Sequence, residues 1–146
     1  MKKTFSKTLS ANDVGATGTH QAGILVPKSQ KELLEFLPPL DANIKNPDAW
    51  IECQDEDGTV RRFRFVYYNN KLHDDNGTRN EYRITYMTSY FRDIGAREGE
   101  VFEISQKEGD PQYTIRVTRP QEASSDPLGK DDALRIKLSS VWRRVH

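Results

Sequence analysis

The chain has 146 residues, 35% of them hydrophobic and 30% charged, and its basic and acidic side chains balance to a formal charge of zero. That length fits one domain spanning 1–146 with a thin core, and no apolar stretch resembles a signal peptide or a membrane span, so no membrane partner is expected. The neutral balance excludes a protein that grips nucleic acid by bulk positive charge, because phosphate affinity comes from Lys and Arg neutralising the backbone.

Charge is nevertheless uneven along the chain. Lys2, Lys3, Lys7 and Lys28 face only Asp13 in the N-terminal segment, and Arg61, Arg62, Arg64, Lys71, Arg79, Arg83 and Arg92 outnumber Asp74, Asp75 and Glu81 between 61 and 92. Any nucleic-acid role must therefore be local.

The run Ser10 to Gln21 holds Gly15, Gly18, Thr17, Thr19, Asn12, Asp13 and His20 with almost nothing to bury. Its glycines lack the Lys-Ser/Thr pair and the strand-to-helix setting of a nucleotide-binding loop. What it offers is short donors and acceptors on a pliable backbone, which suits phosphates and base edges, or else a plain surface loop. The two readings stay open on composition alone.

Ile24 to Pro27 is the first compact apolar run. Ser29 and Glu32 have capping-box spacing ahead of Leu33, Leu34 and Leu37, and Pro38-Pro39 stops that helix. A strand from Trp50 to Gln54 leads to Asp57-Gly58, a two-residue hairpin signal, and Val60 to Tyr68 returns. Cys53 stands alone, which excludes an intrachain disulfide and points to a reducing, cytoplasmic compartment with the thiol buried and inert. In the return strand Arg62 and Arg64 alternate with Phe63 and Phe65, giving one basic and one apolar face. Solvated arginines on a half-buried strand are the plainer reading there, ahead of phosphate contacts.

After a loop from Asn69 to Thr78, the residues Arg79, Asn80, Glu81 and Arg83 crowd together. Arg pairs with guanine O6 and N7, Asn with adenine, and Glu accepts from the cytosine N4 amine, so the mixture suits a G·C-rich site. In an extended chain Arg79, Glu81 and Arg83 point one way and Asn80 and Tyr82 the other. A solvated loop with its charges paired among themselves is the competing reading. Tyr82 to Met87 alternates again, Val101 to Gln106 and Tyr113 to Thr118 form a hairpin, Pro120 to Asp131 reads as a mobile connection, and Leu134 to Leu138 is the last strand candidate.

Two segments, Leu9 to Gly23 and Tyr67-Tyr-Asn-Asn70 with Thr78-Arg-Asn-Glu-Tyr-Arg-Ile-Thr85, resemble in order and separation the N-terminal effector domain of EcoRII-type restriction endonucleases. The resemblance implies a mainly β, DNA-binding pseudobarrel like the plant B-three domains, here expected to have about seven strands and one or two short helices. It implies double-stranded DNA as partner, two arms in the major groove, a site such as CC(A/T)GG, no cofactor, and a nuclease domain outside this chain. Carried over by position, the first arm supplies Asn12, Asp13, Thr17, His20 and Gln21, and the second Arg79, Glu81 and Arg83, with Thr78 and Asn80 supporting or touching the backbone. Gly77 and Tyr82 stand where the pattern has lysines, and Tyr82 is kept with the second arm's DNA-facing set.

A catalytic site is not expected. Asp48, Glu52 and Gln54 lack the lysine of a metal-dependent nuclease, and Asp48 reads better as a turn residue. His20, His73 and His146 are too dispersed for a metal cluster. The alternatives are a small complete nuclease, or a barrel that binds single strands or proteins.

Overall fold

Period-2 runs interrupted by turn residues leave backbone groups to be paired laterally, and they pair into one sheet. In the computed structural model, which describes residues 2–15, 22–119 and 142–145, the strands are β1 (Lys2–Thr8), β2 (Ile24–Val26), β3 (Asp48–Gln54), β4 (Val60–Tyr68), β5 (Glu81–Thr85), β6 (Val101–Lys107), β7 (Tyr113–Thr118) and β8 (Trp142–Arg144). The helices are α1 (Lys31–Phe36), α2 (Asn70–His73) and α3 (Thr88–Ile94). Strand order is β2-β5-β4-β3-β7-β6-β1-β8, antiparallel except where β3 runs parallel to β7 at Cys53↔Tyr113 and Gln54↔Thr114. The Trp142 indole N–H on β8 donates to the Leu25 carbonyl on β2 at 3.0 Å. The two edge strands therefore meet, and the sheet curls into the nearly closed barrel that the resemblance implies.

The inventory differs from expectation in detail. Among the described residues there are eight strands and three helices: β1, β8 and α3 lie outside the predicted elements, and α2 forms inside the stretch expected to be the loop 69–78. Only Phe5 is strongly apolar in β1, yet Thr4, Ser6 and Lys7 are buried beside it, since β1 lies between β6 and β8. The expected capping box does not form: α1 starts after Gln30 with no side-chain cap, although Pro38-Pro39 follows its end as predicted. The connection after Gln54 closes through Asp55 N–H to the Thr59 carbonyl at 2.9 Å with Gly58 left-handed at φ 82, a three-residue turn rather than a two-residue one. The expected loop 120–131 and strand 134–138 lie outside the described residues. Among the described residues no helix is long and apolar enough to cross a membrane.

Inward-facing side chains of every strand fill the barrel. Phe36 of α1 packs on Phe5 and Tyr113, with ring centroids 4.8 and 5.2 Å apart, and Tyr113 donates its hydroxyl to the Phe36 carbonyl at 2.8 Å. Tyr90 and Phe91 of α3 pack against Phe63 and Phe102. Cys53 is buried, and burial followed by the charge of Glu52 pushes its thiol up to about 12, so it is the inert thiol expected.

Asp55 organises the β3–β4 turn. Its carboxylate accepts from the N–H groups of Asp57 and Thr59, both at 2.9 Å, and from Arg61 Nε at 3.0 Å. Burial opposes the charge, but the hydrogen bonds and the Arg61 charge outweigh it and hold this carboxyl below its ordinary value. A depressed folded value means stability that is present above the unfolded value and lost as pH falls through the folded one. We predict that Asp55→Asn destabilises the chain by about 1–3 kcal/mol at neutral pH, and that the difference from the parent shrinks below about pH 4. Urea unfolding at neutral and acid pH measures both.

Candidate nucleic-acid interface

The segment expected to form the second arm runs on to Arg83, and its first part, residues 69–80, is built on asparagines. Asn69 is fully buried; its Nδ2 donates to the carbonyls of Ala42 and Ile44 at 3.2 and 2.9 Å, and its Oδ1 accepts from Asn46 N–H at 2.7 Å. Both N–H groups and the oxygen of this buried amide are thereby engaged, which fixes where the arm leaves β4. Next along, Asn70 Oδ1 accepts from Arg79 N–H at 2.8 Å while Lys71 N–H donates to the Arg79 carbonyl at 3.0 Å. The arm therefore folds back on α2. Gly77 lies so close to this turn that a Cβ there would sit 2.1 Å from the Asn70 carbonyl oxygen. The lysine that the family pattern has at this position cannot enter without moving the backbone.

Arg79, Glu81 and Arg83 come together on one outward face, as their alternation predicts. Glu81 Oε2 accepts from Arg79 at 3.0 Å and from Arg83 Nε at 2.7 Å, and the Arg79 guanidinium lies 3.8 Å from the Tyr68 ring centroid. Burial pushes the Glu81 carboxyl up, but the hydrogen bonds from Arg83 and Arg79 win and leave it below its ordinary value. All three side chains are partly exposed, Arg79 most at 43%. Each guanidinium keeps donors beyond those it gives Glu81, so the group is held in place and still able to pair outward.

Asn80 and Tyr82 turn the other way. Tyr82 stacks on Tyr67 with centroids 4.2 Å apart and on Phe65 at 5.8 Å, and the Tyr67 hydroxyl donates to Asn80 Oδ1. Burial, then the neighbouring Tyr67, pushes the Tyr82 hydroxyl up. These two side chains form the support beneath the exposed triad. Thr78, the residue before Arg79, is exposed.

The first arm is described at its two ends. Leu9 exchanges backbone hydrogen bonds with Gly99 and Glu100, each 2.8 Å, Asn12 is exposed, and Ala22 is tied to Met87 and Thr88. Asp13 is buried: its carboxylate pairs with Lys7, also buried, and accepts from Ser10 N–H at 3.0 Å. Its side chain positions the arm's root. Thr17, His20 and Gln21 lie outside the described residues. Since β2 pairs antiparallel with β5 at Ile24↔Ile84 and Val26↔Tyr82, the first arm joins at one end of β5 and the second at the other, roughly 13 Å apart at about 3.3 Å per residue. Lys7, Asn69 and Asn70, which set both arms, escape sequence reading because the partners of the asparagines are main-chain groups and because nothing local shows that Lys7 and Asp13 are buried together.

The acidic set in β3 offers no nuclease geometry. Asp48 lies at the first position of the strand, where it pairs with Arg64 at 2.6 Å, and no cluster suited to a metal ion occurs among the described residues. His73 faces the Ala42 carbonyl at 3.0 Å.

Comparison with known proteins follows the same lines. Residues 2–95 match the model of the family described as restriction endonuclease EcoRII, N-terminal. The type II restriction enzyme EcoRII of Escherichia coli is 33% identical over 119 residues, covering 73% of this chain and 27% of that protein. The chain thus spans about a quarter of that relative's length. A solved chain of the Arabidopsis FUS3-DNA complex superposes with a TM-score of 0.59 over 78% of this chain and 94% of that one, at 22% identity, a likeness of fold.

Breaking the buried Lys7–Asp13 pair leaves one uncompensated charge. Lys7→Met or Asp13→Leu alone is expected to cost about 3–5 kcal/mol, and the double variant far less than their sum. A double-mutant cycle by urea unfolding checks it; additive losses would show that the two side chains act separately.

Proposed function

The chain belongs to the family of EcoRII restriction-endonuclease N-terminal domains, and from that premise we propose that it is a sequence-specific, double-stranded DNA-binding effector domain that reads a short G·C-rich site such as CC(A/T)GG. The observation that carries this reading is the outward triad Arg79–Glu81–Arg83, preset by mutual hydrogen bonds on one strand face. Arg79 and Arg83 are the readers of guanine O6 and N7, and Glu81 the acceptor for cytosine N4–H. Asn12, Thr17, His20 and Gln21 act from the first arm and Thr78 from the second, at phosphates and base edges, while Asp13, Asn80 and Tyr82 hold the two arms in position. Cleavage belongs to a nuclease domain outside these residues, on the same natural polypeptide, working in the bacterial cytoplasm. No cofactor is needed for binding of this kind.

Arg79→Ala should weaken binding by about 1–3 kcal/mol and flatten discrimination at one base pair. A uniform loss across sequences would instead assign Arg79 to phosphate. The deciding measurement is a titration of a CC(A/T)GG duplex against a scrambled duplex at fixed salt; equal affinity for both would overturn the specific-readout function.

A further inference from the structure

Tyr86, the residue after β5, holds a left-handed backbone at φ 66 with its side chain 48% exposed. Aromatic residues rarely adopt that conformation, and it persists only where the surroundings enforce it. Its ring meets Trp50 edge-on at 5.0 Å, and Trp50 is itself 45% exposed. The Arg62 guanidinium lies 5.8 Å from the Trp50 ring centroid. Arg62 makes no ion pair among the described residues, whereas its neighbour Arg64 is committed to Asp48.

This patch is continuous with the candidate interface in two ways. Trp50 pairs in register with Arg64, and Arg64 with Thr85, so the aromatic pair shares the outer face that carries Glu81 and Arg83. Met87, one residue beyond Tyr86, donates its N–H to the Ala22 carbonyl at 3.3 Å, which puts Tyr86 at the root of the first arm. A duplex held by arms at both ends of β5 must cross this outer face. A five-base-pair core covers only about 17 Å of helix axis at ~3.4 Å per pair, so flanking DNA continues past the arms.

We infer that Trp50, Tyr86 and Arg62 form a third contact to duplex DNA, in which Arg62 engages a phosphate and the two rings pack on the sugars of the flank beside the first arm. The inference rests on the DNA-reading function proposed above. Charge and shape favour this occupant: a guanidinium with no ion pair among the described residues suits a phosphate, Arg64 beside it adds a second guanidinium against the one carboxylate of Glu52 opposite Arg62 in register, and the apolar area is only two rings wide.

The test compares a duplex limited to the core site with one extended by flanking pairs, using Trp50→Ala, Arg62→Ala and Tyr86→Gly. The last replaces the strained residue with one that accepts positive φ, so it keeps the fold while removing the ring. Each ring variant is expected to bind the extended duplex about tenfold more weakly, with little change on the core duplex. Arg62→Ala should lower the salt slope on the extended duplex by about one. Trp142 is buried, so the exposed-tryptophan emission of the parent should respond to the extended duplex and not to the core. Unchanged affinity, slope and emission on the extended duplex, with preference for CC(A/T)GG retained, overturn the third contact alone. Equal losses on single strands and duplexes overturn it as well, by making the patch a single-strand stacking platform. Absence of any sequence preference in the parent would instead sink the underlying function.

Discussion

β5 is paired along both edges, to β2 through Ile24↔Ile84 and to β4 through Phe65↔Ile84 and Tyr68↔Glu81, and everything at the candidate interface depends on that double pairing. Ile84 is fully buried, while Glu81 and Arg83 alternate with it on the outer side. A slip of one residue would bury Arg83 and expose Ile84, so the core fixes the register and the register fixes where the triad points. Direction, in other words, is set by hydrophobic burial on the far side of the strand. The arms inherit the same constraint because each one ends on β5 or on its partner.

Two close backbone approaches keep the arms against that frame. At Gly23 a Cβ would meet the Ile84 carbonyl oxygen at 2.7 Å, and at Gly77 the Asn70 carbonyl oxygen at 2.1 Å. Any side chain at Gly23 would force the root of the first arm away from β5, and any at Gly77 would force the turn of the second away from the start of α2. The position that looked in sequence like a lost lysine contact is thus occupied by a residue the turn requires. Buried polar groups complete the frame: Asn69 and the Lys7–Asp13 pair are satisfied within the protein, and such groups tolerate little displacement because each lost partner leaves a desolvated charge or amide.

Much of this was legible in sequence because local pattern decided it. The alternation of Arg79, Glu81 and Arg83 against Asn80 and Tyr82, and of Arg62 and Arg64 against Phe63 and Phe65, is a property of extended backbone and survived folding unchanged. The family resemblance also carried the barrel. What stayed hidden was settled by tertiary burial. β1 carries few apolar side chains because its neighbours bury its polar ones, and Thr4 finds Ser105 across the sheet at 2.9 Å. Asp13 is indistinguishable from a surface aspartate until Lys7 is brought to it. α3 is short and lacks a side-chain cap, so Tyr90 and Phe91 hold it through packing, which no local signal announces.

The zero net charge acquires meaning once the triad's internal pairing is considered. Affinity for DNA that ignores sequence grows with the number of phosphates neutralised, and a surface on which Arg79 and Arg83, Arg64 and Arg61 are matched by Glu81, Asp48 and Asp55 supplies less of it. Glu81 between two arginines sharpens this further, since a carboxylate on the reading face repels phosphate and is compensated only by an amine donor such as cytosine N4. If the triad reads bases as proposed, a correct site lets both guanidiniums and the carboxylate exchange one set of charge-assisted hydrogen bonds for another. At a wrong base, Glu81 or an arginine loses its partner without replacement, and that loss is larger in a desolvated groove than in water. On the proposed reading, balanced charge is therefore what lets so small an interface discriminate: it lowers the sequence-independent attraction while leaving the penalty for mismatches intact.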